Sequence, residues 1–379
     1  MWYMNEEREQ LQKMVRDFSE TEIRPFVKEM EEKDAFPAEI VRKAGELGLI
    51  ALMFPEQIGG MGPKWVETGI MLEEMAKVSN CVADTFASIH AGCALILQTG
   101  NAELIQKVVV PAMMGQVITA SAQSEPTGGT RLDDFTCTAS IEGNEIVING
   151  GKIFCTNAGH ADYYTINCKT KEPYAAPFGN HTLVLVEKDR PGFKVGHIEN
   201  KVGWHGSATG QLYFTDCRVP MSNIIATMDM DESMLAAGAF SVSILMAAVM
   251  LGSAEGVYEK ALAYAKERKH GDLSIFDKYQ SMRHRFTELR MEIELLRSLV
   301  FDVLADLDKG NYNVSVPALT AKVKGAEIFE HVASECVTLC GGNGLIVEND
   351  IERYYRDAKV CSIAGMSVHH LTDIVANQL

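Results

Sequence analysis

Over residues 1–118 the apolar positions fall at helical spacing. In EEREQLQKMVRDFSETEIRPFVKEMEEKD they recur every three or four residues among many charges. PAEIVRKAGELGLIAL repeats the pattern behind Pro37, a residue type suited to a helix start. FPEQIGGMGP reads as a loop by its Pro and Gly, and helical spacing resumes from Trp65 to Pro111. From residue 119 the period changes. ASIEGNEIVINGGKIFCTNAG alternates β-branched and polar residues, with Gly-Asn and Asn-Gly as tight-turn signals. HTLVLVEKD, FKVGHI and QLYFTDCRVP continue as strands, to about residue 226. Long helices then return over 227–379, as in DKYQSMRHRFTELRMEIELLRSLVFDVLADLDKG. A helix–strand–helix order by region predicts an α+β protein with segregated layers, not an alternating parallel sheet. The expected domains are 1–118 (helical), 119–226 (strands) and 227–379 (helical).

One stretch, Ser233 to Ala254, carries no charge and is long enough to span a bilayer. It is rich in Ala, Gly and Ser and runs into the charged segment EGVYEKALAYAKERK, so a buried central helix is expected and no membrane span. The net charge of −16 disfavours nucleic acid as a partner. The nine cysteines are scattered; Cys336 and Cys340 lie four apart, and no metal-ligand spacing appears. Reduced thiols and an acidic start, MWYMNEEREQ, fit a cytoplasmic protein without a signal peptide.

Five motifs follow one another: SAQSEPTGGTRLDD, GGKIFCTNAG, FTDCRVP, LCGGNG and RYYRDAK. In this order and at these distances they resemble the acyl-CoA dehydrogenase family over essentially the whole chain. The resemblance implies an N-terminal helical domain, a middle β-barrel and a C-terminal four-helix bundle. It also implies FAD, a CoA thioester substrate, and a homotetramer that passes electrons to an electron-transferring flavoprotein. On the family pattern, Gln123, Ser124, Gly129 and Thr130 fall on flavin or CoA contacts, where backbone N–H groups and hydroxyls of a Gly-rich turn suit a pyrophosphate. Phe154 and Thr156 flank the flavin. Arg268, Gln280, Gly341 and Gly342 match positions that reach the FAD of a neighbouring subunit. The family's Arg-x-x-Phe-Gly appears here as Arg268-Lys269-His270-Gly271, without the Phe.

Most of the family uses a Glu to remove the α-proton while the β-hydrogen leaves as hydride to flavin N5. That Glu aligns with Ala364 or Gly365, and neither is a carboxylate. A minority places the Glu on the first long C-terminal helix, near Val242, inside the charge-free segment. Ala364 can still offer a backbone N–H to the thioester carbonyl. Between Lys77 and Glu103 the only ionisable groups besides cysteine are Asp84 and His90, among small and apolar residues. In the family this helix lines the far side of the acyl pocket, where a carboxylate has a raised pKa and serves better as a general base. Asp84 is therefore the candidate base, while His90, six residues on, points to another face and reads as structural.

A base on the pocket floor meets a carbon further from the thioester. That suits a substrate already α,β-unsaturated, whose γ-hydrogen is acidified by conjugation. The combination resembles the cyclic-diene-forming dehydrogenases of anaerobic aromatic metabolism, which lack the Glu and use an Asp. Their reaction is 1,4-dehydrogenation of cyclohex-1-ene-1-carboxyl-CoA to cyclohexa-1,5-diene-1-carboxyl-CoA, and in some cases on to benzoyl-CoA. Small residues, Ala87, Ala91 and Gly92, would leave room for a ring. The alternatives are another Glu-less relative, desulfinase-like or enoyl-CoA-reducing, and an inactive acyl-CoA-binding flavoprotein.

Overall fold

The computed structural model describes residues 1–129, 134–170, 181–225 and 232–378, with the backbone alone over 232–239. Helix α1 (Glu6–Phe18) passes through a π-helical turn, Ser19–Ile23, into α2 (Arg24–Lys33). Helix α3 (Ala38–Glu46) starts at Pro37, as its position in the sequence implies. Two helices, α4 (Trp65–Val78) and α5 (Asn80–Gln98), are hinged at Ser79, whose hydroxyl caps α5 by accepting the Val82 N–H at 3.3 Å. Short α6 (Ala102–Leu104) and α7 (Val110–Met113) complete this region.

The middle of the chain is a curled seven-stranded sheet: β1 (Thr119–Ala122), β2 (Thr138–Glu142), β3 (Glu145–Thr156), β4 (Tyr163–Thr170), β5 (His181–Glu187), β6 (Phe193–Ile198) and β7 (Thr209–Pro220). β4 pairs with β1 and β2 in parallel along one edge and with β5 antiparallel on the other. β2, β3, β7 and β6 follow as antiparallel neighbours. The Gly-Asn signal is a two-residue hairpin turn: Glu142 faces Glu145, and Gly143 takes φ +65°. The Asn-Gly signal is not a turn. Gly150 lies inside β3 at a register shift, with φ +133°, and a Cβ there would stand 2.6 Å from the Cys137 Cα. That glycine serves a bulge and a close backbone approach.

The remaining helices are α8 (Glu232–Glu267), α9 (Ile275–Lys278), α10 (Gln280–Asp308), α11 (Ser315–Cys340), α12 (Glu352–Cys361) and α13 (Val368–Ala376), with a two-residue hairpin pair, β8 (Lys269–His270) and β9 (Leu273–Ser274), before α9. The charge-free segment forms most of α8, which packs on α4, α5, α10 and α11 and so is apolar all round. Its glycines permit close approach: a Cβ at Gly252 would lie 2.1 Å from the Glu73 carbonyl oxygen, and one at Gly256 2.3 Å from that of Lys77. Two helices, Asn80–Gln98 and Phe240–Glu267, are long and apolar enough to cross a membrane, yet 72% and 89% of their apolar windows are buried within the protein. Both read as core helices. One hydrophobic core joins the N- and C-terminal helices, and a second lies within the sheet. All nine cysteines are free and buried.

Candidate active site

Five elements meet around a cavity of about 90 Å³. Helix α5 contributes Asp84, Ala87, Ser88 and Ala91, the i, i+3, i+4 and i+7 positions of one face. Helix α8 adds Val242 and Met246, one turn apart; β3 ends there in Thr156; Trp204 comes from the loop between β6 and β7; the turn between α12 and α13 supplies Ala364 and Gly365. Every candidate from the acyl-pocket side of the sequence reading except Gly92 lines this space. Gly92 faces away, since a Cβ on it would stand 2.4 Å from Thr119 Oγ1 of β1. The sequence reading does not name Ser88, Trp204 or Met246. Ser88 follows from the helical spacing of α5; the other two are brought in by tertiary packing.

Asp84 is the one ionisable side chain among the described residues of the cavity wall. It is 4% exposed, and burial pushes its carboxyl up to about 7, against the smaller opposing effects of a Ser88 hydroxyl bond at 3.4 Å and the Lys322 charge. It sits in the second turn of α5, beyond the capping interaction that Ser79 already makes. His90 is also buried but off the cavity, near the rings of Phe54 and Trp65; burial lowers it to about 4, so it is neutral at pH 7.

The Ala364 expectation needs correction. Its N–H donates to the Val360 carbonyl at 2.9 Å, in the last turn of α12, so it is not free for a thioester. The next amide, Gly365 N–H, makes no hydrogen bond among the described residues. Gly365 has φ +60°, and a Cβ there would meet Met246 Sδ at 2.3 Å. A Glu at this position would thus be strained in backbone and crowded by Met246.

The Gly-rich turn lies against the C-terminal half of β3. Gln123 Nε2 donates to the Gly129 carbonyl at 3.2 Å, the Ser124 carbonyl accepts from Ile153 N–H at 2.8 Å, and a Cβ on Gly129 would come 3.0 Å from Ser124 Oγ. Thr130 lies outside the described residues. Beneath the turn is a fully buried pair missed by sequence reasoning. Lys152 Nζ bonds Glu125 Oε1 at 2.7 Å and the Gln123 carbonyl at 3.0 Å, and sits 4.1 Å from the Phe135 ring centre. Two residues beyond Lys152, a register shift in β3 turns Phe154 outward at φ +54°, with 61% of its surface exposed. Backbone strain that holds an aromatic ring outward, two residues from the cavity-lining Thr156, suits a planar cofactor face.

Arg268, Gln280, Gly341 and Gly342 do not line the cavity. Arg268 Nη1 and Asn343 Nδ2, the latter at 2.9 Å, both donate to Tyr264 Oη, which brings Arg268 beside the GGNG turn. Gly341 and Gly342 are exposed, with nothing within 4 Å of an added Cβ. Gln280 opens α10 on the surface, its amide 3.3 Å from His284 Nε2.

This fold and pocket define a class. The chain matches the acyl-CoA dehydrogenase N-terminal domain over residues 5–116, the middle domain over 120–217 and the C-terminal domain over 236–379. It belongs to the acyl-CoA dehydrogenase family and is an FAD-dependent oxidoreductase acting on acyl-CoA. Among individual relatives it is 34% identical to the short-chain-specific acyl-CoA dehydrogenase of Clostridium acetobutylicum, covering 95% of this chain and 94% of that one. Its fold matches the solved butyryl-CoA dehydrogenase of Megasphaera elsdenii with a TM-score of 0.92 at 28% identity, over 99% of this chain and 98% of that one. A chain from a structural study of the electron transferring flavoprotein of Acidaminococcus fermentans matches at 0.93 and 29% identity, over 100% and 99%. FAD is the cofactor, and the outward ring of Phe154, the Thr156 hydroxyl and the tight Ser124–Gly129 turn fit it.

Proposed function

We propose that the substrate is a cyclic, already α,β-unsaturated acyl-CoA, and that the reaction is 1,4-dehydrogenation of cyclohex-1-ene-1-carboxyl-CoA to cyclohexa-1,5-diene-1-carboxyl-CoA. The observation that carries this reading is Asp84, the one ionisable group among the described residues of a cavity wall that also holds the turn where the family's usual Glu would stand. Gly365 and Val242, the two usual sites, offer no proton acceptor.

The chemistry follows from where the groups sit. The ring loses one hydrogen as a proton to the Asp84 carboxylate and a second with its electron pair, leaving a new C=C bond. FAD, when bound, supplies the two-electron acceptor. Conjugation with the thioester makes the departing ring proton acidic enough for a carboxylate near neutrality. Gly365 N–H, without a partner among the described residues, would donate to the thioester oxygen, the role expected of Ala364. Phe154, Thr156, Gln123, Ser124 and Gly129 would hold the cofactor. The cavity is smaller than the roughly 150 Å³ that encloses benzene in an engineered apolar site. Ala87 and Ala91, small residues on the same face of α5 as Asp84, would leave room for a ring edge beside the carboxyl.

The exposed Arg268, Gln280, Gly341 and Gly342 suit contact with a neighbouring subunit's FAD in a homotetramer, and an electron-transferring flavoprotein in the cytoplasm is the fitting acceptor. Anaerobic titration of the FAD-loaded protein with a panel of CoA thioesters tests the substrate. Cyclohex-1-ene-1-carboxyl-CoA is expected to bleach the flavin and yield the diene by mass. Bleaching by butyryl-CoA but not by the cyclic thioester would overturn the reading; no bleaching by any thioester would favour an inactive binder.

A further inference from the structure

We propose that Lys322 is a positioning residue for the reaction: its side chain staples the turn that carries Gly365 and stands as the cation facing Asp84. The proposal rests on Asp84 being the base. Lys322 lies on α11, fully buried, an expensive place for an ammonium unless it is used. Its Nζ donates to the Cys361 carbonyl at 3.1 Å and to the Met366 carbonyl at 2.7 Å. Those two carbonyls bracket residues 362–365, the stretch that leaves α12 and enters the cavity wall. Neither carbonyl can find a partner within a helix, because α12 has ended and α13 has not begun. One ammonium therefore ties both ends of the turn and fixes the plane of the 364–365 peptide.

Asp84 lines the same cavity as residues 364–365, the turn this ammonium ties, and so lies within its field. Lys322 is the charged side chain that favours the Asp84 carboxylate, and Asp84 in turn favours the Lys322 cation, which burial pulls down to about 8. Among the described residues, other groups around the pair do not compete. Helix α8 presents Val242 and Met246, β3 presents Thr156, and the loop presents Trp204. On α5, Ser88 is a neutral donor, and burial raises the thiols of Cys81 and Cys361 so that both stay protonated. Asp357 is engaged with the Trp204 N–H at 2.7 Å and with Arg353.

Two readouts on FAD-loaded protein test this without turnover. In ¹³C-aspartate NMR, with the Asp84 resonance assigned by its loss in Asp84→Asn, Lys322→Met is expected to raise the Asp84 midpoint by about one unit or more. Hydrogen exchange at residues 363–367 is expected to rise at least tenfold in the same variant. If Lys322→Met does not fold, Lys322→Gln, which keeps a donor for one carbonyl but no charge, gives the same midpoint shift with a smaller exchange effect. A role in packing alone would lower thermal stability and leave the midpoint in place; an unmoved midpoint, or unchanged exchange, overturns the proposal. If cyclohexenoyl-CoA fails to bleach the wild-type flavin while the Asp84 midpoint still follows Lys322, the substrate reading falls and the link between the two residues stands.

Discussion

Asp84→Asn is expected to cut the rate of flavin bleaching by cyclohex-1-ene-1-carboxyl-CoA by about 10²–10⁴-fold while FAD content stays at the wild-type level. The replacement keeps shape and hydrogen-bonding capacity beside Ser88 but cannot take a proton. Among the described residues nothing that faces the cavity can substitute, because its other lining residues are Ala, Ser, Thr, Trp, Val, Met and Gly. A structural counterpart accompanies the loss. Asp84 titrates at about 7 in the folded protein, above the ordinary carboxyl value, so its share of stability is present in acid and is lost as pH rises through that midpoint. The Asn variant is therefore expected to gain thermal stability over wild type at pH 8 and to show little gain at pH 4. Loss of activity with loss of FAD, or full turnover, would each remove Asp84 from the role of base.

The second large effect lies away from the cavity. Arg297 of α10 is buried between two carboxylates, Glu73 of α4 and Glu255 of α8, and bonds Glu255 Oε2 at 2.8 Å. The triad joins the N-terminal helices to the C-terminal bundle through the helix that forms the cavity's Val242–Met246 wall. Arg297→Met leaves two carboxylates buried and facing each other, with Arg290 alone still reaching Glu255. Breaking a buried pair in this way costs about 3–5 kcal/mol. Denaturant unfolding of the two proteins should show a loss of that size, and Glu73→Gln combined with Arg297→Met should recover part of it. A loss below about 1 kcal/mol would mean that water reaches the triad.

Much of this arrangement is legible in the sequence because its periods are strong. The face of α5 that carries Asp84, Ala87 and Ala91 follows from helical spacing, and the Gly-Asn hairpin turn from its dipeptide. Other parts depend on distant chain. β4 (YYTINCKT) is buried on both faces along most of its length, so it shows no clean alternation, and β1 is four small residues. Asn149-Gly150 looks like a turn until the Cys137 backbone is seen against it. That the Ala364 amide is taken and the Gly365 amide is not depends on where α12 ends, a boundary local pattern does not fix. Lys322, in a run of helix formers, carries no local sign that its ammonium reaches a turn some forty residues on.

In the proposed reaction a buried Asp84 carboxylate accepts the ring proton. Anaerobic stopped-flow reduction of the flavin by cyclohex-1-ene-1-carboxyl-CoA, measured between about pH 5.5 and 8.5 with kcat/KM as the readout, addresses it most directly. The base must be ionised to act, so the rate should rise about tenfold per pH unit in acid and level off above a midpoint near 7, the value burial gives Asp84. A rate independent of pH across that range, or the same profile retained in Asp84→Asn, would contradict it.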